Sequence, residues 1–405
     1  MTDTGEVIHW HHALEIILNA TPIKEVETFD MASAVGRTLA SPVISPSDYP
    51  PFERASVDGY AIRSMDTASA PVSLRNVGTI PAGTVPSADL QAGQCMKIMT
   101  GAPLPKGADA IVPLEEVDGN EADVQIKAPI QAGNYFVKQG AVFKKGQEVI
   151  SKGTTITATE IGLMAGFGLQ RIPVHKVPTV ALLVTGDELV EPWVTPRLGQ
   201  IRNTNAYVLM TLLRQMGIAV HYLGICPDNP ATLSQKVLSG LQDDVLVVVG
   251  GSAKGDRDYT RQGLESQGMQ IVFDHLALKP GSSTIFARKG TKLALGLPGP
   301  PGAMQTMCHL LVLPLLKKMM GCQNPIPIMY TGTFQGTFTK PVGCEFFLSA
   351  HAEFREGSFI VQPSLTIGMT LWDDWKAANA LVRIPAEVEQ LQDGDQVTFL
   401  LTTIC

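Results

Sequence analysis

Five short segments combine acidic, basic or hydroxyl side chains with glycine or proline, the make-up of loops that hold ligands. Ser56-Val57-Asp58-Gly59-Tyr60-Ala61 is an Asp-Gly turn before a strand-like run; it is either a plain turn or an acid held for a metal or polar ligand. Met99-Thr100-Gly101-Ala102-Pro103-Leu104-Pro105 is stiffened by its glycine and prolines, and Thr100 offers a hydroxyl and nearby N–H groups to an oxyanion. Thr185-Gly186-Asp187-Glu188-Leu189 ends an apolar run, a costly place for two carboxylates unless they cap a helix, pair or bind a metal. Gly250-Gly251-Ser252-Ala253-Lys254-Gly255-Asp256-Arg257-Asp258-Tyr259 runs from a second apolar stretch into a helical pattern, the geometry of a phosphate cradle. It is neither a GxGxxG nor a P-loop, so no dinucleotide or ordinary ATPase site follows. The fifth joins Leu278-Lys279-Pro280-Gly281 to Gly296-Leu297-Pro298-Gly299-Pro300-Pro301-Gly302, where Lys279 suits a phosphate and proline opens a helix.

The elements that must position these loops are legible from Pro178 onward. Strand patterns fall at 179–184, 219–225, 244–249, 270–278, 284–287 and 293–297, with helical patterns at 204–216, 230–241, 258–267 and 301–320. VALLV and VLVVV are continuous apolar runs, as in strands buried on both faces, and the alternating order predicts a mostly parallel sheet. Ligands of such sheets bind at the carboxyl ends of strands, and the acids, Lys279 and the glycine turns are expected at that one edge. This points to a Mg²⁺-assisted phosphate site. No nucleophile elbow or Ser-His-Asp order supports acyl transfer.

Elsewhere the pattern changes. Residues 6–20 carry Val7, Trp10, Leu14, Ile17 and Leu18 at helical spacing, a stripe that needs a partner, with His9, His11 and His12 beside it. Those histidines are either metal ligands or solvated helix residues. Residues 46–145 have short apolar stretches between frequent Gly and Pro, a β-rich pattern, and TATEIGLMAGFG follows with Thr157 or Thr159 as helix cap. After the proline-bearing CQNPIPIMY, the last segment predicts a small barrel or sandwich, with Asp393-Gly394 as a hairpin signal.

The 405 residues suggest two to four domains at about 150 residues each. A hydrophobic fraction of 45 % excludes a disordered chain, and no apolar run is as long as a membrane span. The net charge of −7 argues against general nucleic-acid binding, so an anionic substrate needs local cations, helix N-termini or a metal. Cys95, Cys226, Cys308, Cys322, Cys344 and Cys405 form no CxxC or zinc spacing, and with no secretory signal they predict reduced thiols in the cytoplasm.

SVDGYA, MTGAPLPKGADAIVP, TGDEL, GQIRNTN, GG…GDRDYT, LKPG and LPGPP follow one another in the order of the molybdopterin molybdenumtransferases, and the chain resembles that MoeA and gephyrin E-domain family over nearly its whole length. The resemblance implies a multi-domain α/β plus β fold. It comprises an elongated helical and extended domain (1–45 plus 141–177), an inserted β-rich domain (46–140), a MogA-like α/β molybdopterin-binding domain (178–322) and a C-terminal β-barrel (323–405). It implies a cytoplasmic homodimer that takes adenylylated molybdopterin and molybdate, inserts molybdenum and releases AMP with Mg²⁺. Carried over by position, Asp58, Thr100, Glu188, Asp228 and Asp258 are the catalytic set, with Glu188 and Asp258 on the metal. Gly250, Gly251, Ser252, Lys254, Lys279, Pro298 and Pro301 are the substrate-binding set.

The chain departs from the family pattern at several donors. Gly-Gly-Val-Ser-Val-Gly becomes Gly250-Gly251-Ser252-Ala253-Lys254-Gly255, and LPGNP-Val-Ser becomes LPGPP-Gly302-Ala303. Ser282-Ser283 stand where a second lysine is common, and arginines usual near Cys344 and Leu348 are absent. Each lost donor removes a charged-ligand hydrogen bond worth about 1.5–3 kcal/mol. The alternative expectation is therefore a paralogue of weakened or lost catalysis that binds pterin or serves as a scaffold.

Overall fold

The computed structural model describes residues 8–251, 259–364 and 378–402. They form two compact units: Met1–Ser41, Lys152–Ile161 and Arg171–Cys405 in the first, Pro42–Ser151 and Gly162–Gln170 in the second.

The centre of the first unit is a six-stranded sheet. Its strands are β1 (Val180–Thr185), β2 (Val220–Cys226), β3 (Val245–Val249), β4 (Gln270–Phe273), β5 (Ile285–Lys289) and β6 (Lys292–Leu297), in the order β2-β1-β3-β6-β5-β4. The first four in that order are parallel, and β5 and β4 close the far edge antiparallel, as the mostly parallel expectation required. The apolar runs are continuous because both faces are covered. Val180, Leu182, Val184, Val245, Val247 and Leu295 belong to one core; Ala181, Leu183, Leu246 and Val248 belong to another. Each fully buried Val or Leu adds about 1.5–3 kcal/mol over exposure.

Helices α1 (Trp10–Ala20), α2 (Asn205–Gln215), α3 (Pro230–Gly240), α4 (Tyr259–Ser266), α5 (Pro301–Met307) and α6 (Leu313–Met319) surround the sheet. The expected single helix over 301–320 is instead α5 and α6 joined by a π turn at Cys308–Val312. Pro314 is the reason: it has no N–H to give, and its ring crowds the preceding carbonyls.

The apolar stripe of α1 finds its partner within the chain. Trp10, Ala13, Leu14 and Ile17 pack into the core with Leu313, Leu316 and Met319, and the Trp10 indole meets the Phe347 ring edge-on at 5.5 Å. The stripe therefore gives no argument for a second subunit. His11 lies against the Trp10 ring, and His12 reaches Glu15 at 3.6 Å.

Five strands, Tyr330–Phe334, Glu345–Arg355, Ser358–Pro363, Ala380–Ile384 and Gln396–Leu401, close on one another as a barrel. Phe334, Val361, Val382 and Phe399 fill it. Asp393-Gly394 is not the tip of a hairpin. The strand before it, Gln390–Leu391, pairs with Phe338–Thr339, and the strand after it pairs with two other barrel strands. The pair does turn the chain, with the Asp395 N–H donating to Gln392 O at 3.2 Å, but the strands on either side pair with other strands and not with each other, and the Asp393 carboxylate and the Gly394 N–H tie the turn to the Gly336 N–H and to Phe334 O.

The second unit holds a sheet in the order Ala110–Pro113, Gly59–Ile62, Gln94–Ile98, Val72–Ile80, Asp123–Ile126, Val117–Gly119, with an apolar cluster on each face. The helix Ala158–Gly166 starts as the sequence suggested. Thr157 Oγ1 accepts from the Thr159 N–H, and Glu160 reaches back to the Thr157 N–H at 2.8 Å.

Candidate functional site

Four loops leave the carboxyl edge of the parallel strands, and short contacts bind them to one another. After β1, the Glu188 carboxylate folds back over Gly186, where a Cβ would stand 2.7 Å from Glu188 Oε2. After β2, the Thr185 hydroxyl donates to Asp228 Oδ1 at 2.7 Å, and the Asp228 N–H donates to Asp187 Oδ1 at 3.1 Å. The helix cap is the next residue: Asn229 Oδ1 accepts from the N–H groups of Ala231 and Thr232. Asp228 is thus released from capping and tied to the end of β1.

After β3, Gly250 turns at φ +96°, and its N–H donates to Leu297 O at 2.9 Å. A Cβ there would stand 2.4 Å from Thr185 O; one on Gly251, at φ +65°, would stand 2.8 Å from Thr260 Oγ1. Only glycine brings the backbone this close, and the same bareness lets an anionic ligand approach. After β6, Pro298 is buried, and Pro301 opens α5 with Pro300 before it. Gly299 lies over Gly250, and its carbonyl accepts from Asn205 Nδ2 at 2.7 Å.

A flap follows Glu188. Leu189–Val190 pairs with Ile201–Arg202, and the Ile201 N–H donates to Glu188 O at 2.8 Å. Glu191 anchors it, accepting from the Tyr207 hydroxyl at 2.9 Å and the Tyr222 hydroxyl at 2.8 Å. Burial first, then the Glu191 bond, pushes both phenols above their usual pKa, so they stay protonated donors. Asn203 completes the anchor, donating to the Tyr222 oxygen and accepting from the Ala206 N–H. A groove of about 580 Å³ opens beside it, walled by Trp193, Tyr207 and Val208 and bordered by Asn203 and Thr204.

In the second unit, Asp58 and Thr100 meet. The Thr100 N–H and hydroxyl donate to Asp58 Oδ1 at 2.7 and 2.8 Å. The N–H bond foremost, then the hydroxyl, holds the exposed Asp58 carboxyl below its usual pKa. Gly59 is required beside it, since a Cβ would stand 2.1 Å from Val112 O across the sheet. The two motifs, 42 residues apart, are one structural feature.

Lys279 does not end a strand of the α/β sheet. The expected strand 270–278 breaks after Phe273, and Leu278–Lys279 pairs with Glu345 and Phe346 of the barrel strand. The break arises because the Leu276 N–H turns to Ser282 O and the Ala277 N–H to Ile8 O. Lys279 is exposed there, before a turn whose Gly281 packs on Met307 of α5. Ser252, Lys254 and Asp258 lie outside the described residues.

The oxygen donors Asp187, Glu188 and Asp228 suit a hard cation. Among the described residues no three His, Cys, Asp or Glu side chains form a ready-made cage. Sequence reasoning missed Asn203, Asn205, Tyr207, Tyr222 and Glu191. The GQIRNTN run was the available signal, but polar residues before a helix read equally well as a cap.

Comparison with known proteins gives a consistent picture. Residues 8–168 match the MoeA N-terminal region (domain I and II), and residues 181–318 match a probable molybdopterin binding domain. A Staphylococcus epidermidis protein named molybdopterin molybdenumtransferase is 30% identical over 378 residues, covering 92% of this chain and 90% of its own. A Bacillus subtilis protein of the same name is 30% identical over 386 residues, covering 93% and 90%. The crystal structure of a molybdopterin biosynthesis MoeA protein from Pyrococcus horikoshii aligns with a TM-score of 0.84 at 26% identity, covering 98% of this chain and all of that one. Among the described residues no helix is long and apolar enough to cross a membrane.

Proposed function

The chain belongs to the MoeA family of molybdopterin molybdenumtransferases, and from that premise we propose that it transfers molybdenum from molybdate to adenylylated molybdopterin, releasing AMP, in the cytoplasm as a homodimer. The observation that carries the reading is the carboxyl edge, where the bare backbone of Gly250 and Gly251 packs on Thr185, whose hydroxyl holds Asp228, and the Asp228 N–H in turn holds Asp187. The glycine turn receives the pyrophosphate, and the start of α5 closes over it behind Pro298 and Pro301. Glu188 and Asp258 hold Mg²⁺, which neutralises phosphate charge when bound. Asp228, fixed by Thr185, orients the attacked phosphate through the neighbouring loop. Lys279, with Lys254 and Ser252, offsets the remaining negative charge of the substrate. Asp58, kept ionised by Thr100, acts as an acceptor toward the substrate or the incoming oxoanion.

Retention of every acid in the set favours an active enzyme over a scaffold. The test is AMP release from adenylylated molybdopterin with molybdate and Mg²⁺. Asp58→Ala and Glu188→Ala are each expected to abolish it. If the Asp58 pair of one protomer serves the strand-end loops of its partner, mixing the two variants restores roughly a quarter of the activity, as two-fold symmetry requires. No AMP release by the wild-type chain refutes the proposal. No recovery on mixing, with subunit exchange shown, places each complete site within one chain.

A further inference from the structure

Asn205 is 8 % exposed, and one of the four hydrogen bonds its amide could make is formed. Its Nδ2 donates to Gly299 O at 2.7 Å, and that carbonyl fixes which arm is the nitrogen. Its Oδ1 is buried without a hydrogen-bond partner, one of three such side-chain atoms among the described residues. A buried amide oxygen left unpaired is a standing cost, and at a core position a leucine of similar volume would avoid it. The residue stands where the loops of the site converge. It is the first residue of α2, immediately after the flap that follows Glu188, and it grips the turn after β6 that lies over Gly250. Thr204, the residue before it, caps α2 with no side-chain bond and borders the groove walled by Trp193 and Tyr207.

We propose that Asn205 is a substrate-binding residue whose Oδ1 accepts an N–H of the substrate's fused heterocycle, while Nδ2 keeps the oxygen aimed by holding Gly299. This rests on the reading of the strand-end loops as the site for adenylylated molybdopterin. An amide oxygen accepts and never donates, so it selects a ring edge bearing N–H. Adenine and the pterin both offer one. An acceptor already desolvated discriminates strongly, because a ligand without the donor leaves it unpaired.

The test compares Asn205→Leu and Asn205→Ser with wild type in the full chain, measuring thermal midpoint, KM and kcat with adenylylated molybdopterin, and calorimetric Kd for AMP. We expect an unchanged midpoint in Asn205→Leu and a KM about tenfold higher in both variants, the loss of one hydrogen bond. If the AMP Kd rises in step, Oδ1 reads adenine; if AMP binds as before while KM rises, it reads the pterin. A lowered midpoint with unchanged KM makes Asn205 a structural tie and overturns the proposal, as does wild-type behaviour throughout. Glu188→Gln separates the two levels. If that variant turns over normally, the strand-end reading itself falls; if it is inactive while both Asn205 variants keep the wild-type KM, only the role of Asn205 falls.

Discussion

Gly250→Ala concentrates the reasoning about the site in one methyl group. Two effects act on it. The backbone sits at φ +96°, where an L side chain costs about 1–2 kcal/mol. The added Cβ would also stand 2.4 Å from Thr185 O and 3.4 Å from the Thr185 carbonyl carbon. Neither can yield cheaply, because Thr185 ends β1 and is held between β2 and the Asp228 contact. Forcing a methyl into packed backbone adds about 1–3 kcal/mol. Gly290→Ala is the control: it lies at φ +59° in the turn between β5 and β6 with nothing within 4 Å of the added Cβ, so it pays the conformational cost alone. The difference between the two variants measures the clash. With roughly 2–4 °C of midpoint per kcal/mol in a domain of 150–250 residues, the gap is several degrees by calorimetry. Gly290→Ala keeps wild-type AMP release. Gly250→Ala shifts the bare turn away from Asp228 and loses about a hundredfold or more, the effect of an ångström-scale misplacement. Equal midpoints for the two variants, or wild-type turnover by Gly250→Ala, would refute the argument.

Three further outcomes follow from particular contacts. Asp58 should titrate below 3.8 by carboxyl NMR, so the stability from its ionised form is present above that pH and is lost only as pH falls through the lower folded value. Thr100→Val should return the midpoint only part of the way, since the N–H bond, the larger cause, remains; an Asp58 midpoint at or above 3.8 in wild type contradicts the geometry. Asn229→Ala should lower stability by about 0.5–2 kcal/mol through the lost cap of α3 and leave turnover intact, whereas Asp228→Asn should do the reverse; the opposite pattern would exchange their roles. Trp10→Phe removes the indole N–H that donates to the buried Glu345 carboxylate at 3.0 Å and should cost at least about 1.5–3 kcal/mol in urea unfolding; an unchanged midpoint would mean the bond contributes nothing net.

Periodicity and punctuation determine the elements of this protein one at a time. VALLV and VLVVV have the continuous apolar pattern of doubly buried strands, and glycine-bearing loops follow them, so the parallel sheet and the edge bearing Glu188 and Gly250 were legible in the sequence. A helix cap at Thr157 or Thr159 was legible because a cap acts within one turn of chain; the structure chooses Thr157 and adds the return contact from Glu160. Long-range partners decided the rest. Lys279 left the sheet because Ile8 and Ser282 claimed the backbone before it, and Asp393-Gly394 turns the chain without making a hairpin because the strands on either side of it find other partners. The α1 stripe looked unpartnered because its partners, α6 and Phe347, stand some three hundred residues away. Pattern reads the faces of an element, but it carries no record of which distant group meets each face. Asp228 and Asn205 show the consequence for chemistry. Each is a polar residue at a helix start, where capping is the local answer, and only the packed structure hands the cap to Asn229 and leaves an acceptor on Asn205 without a partner.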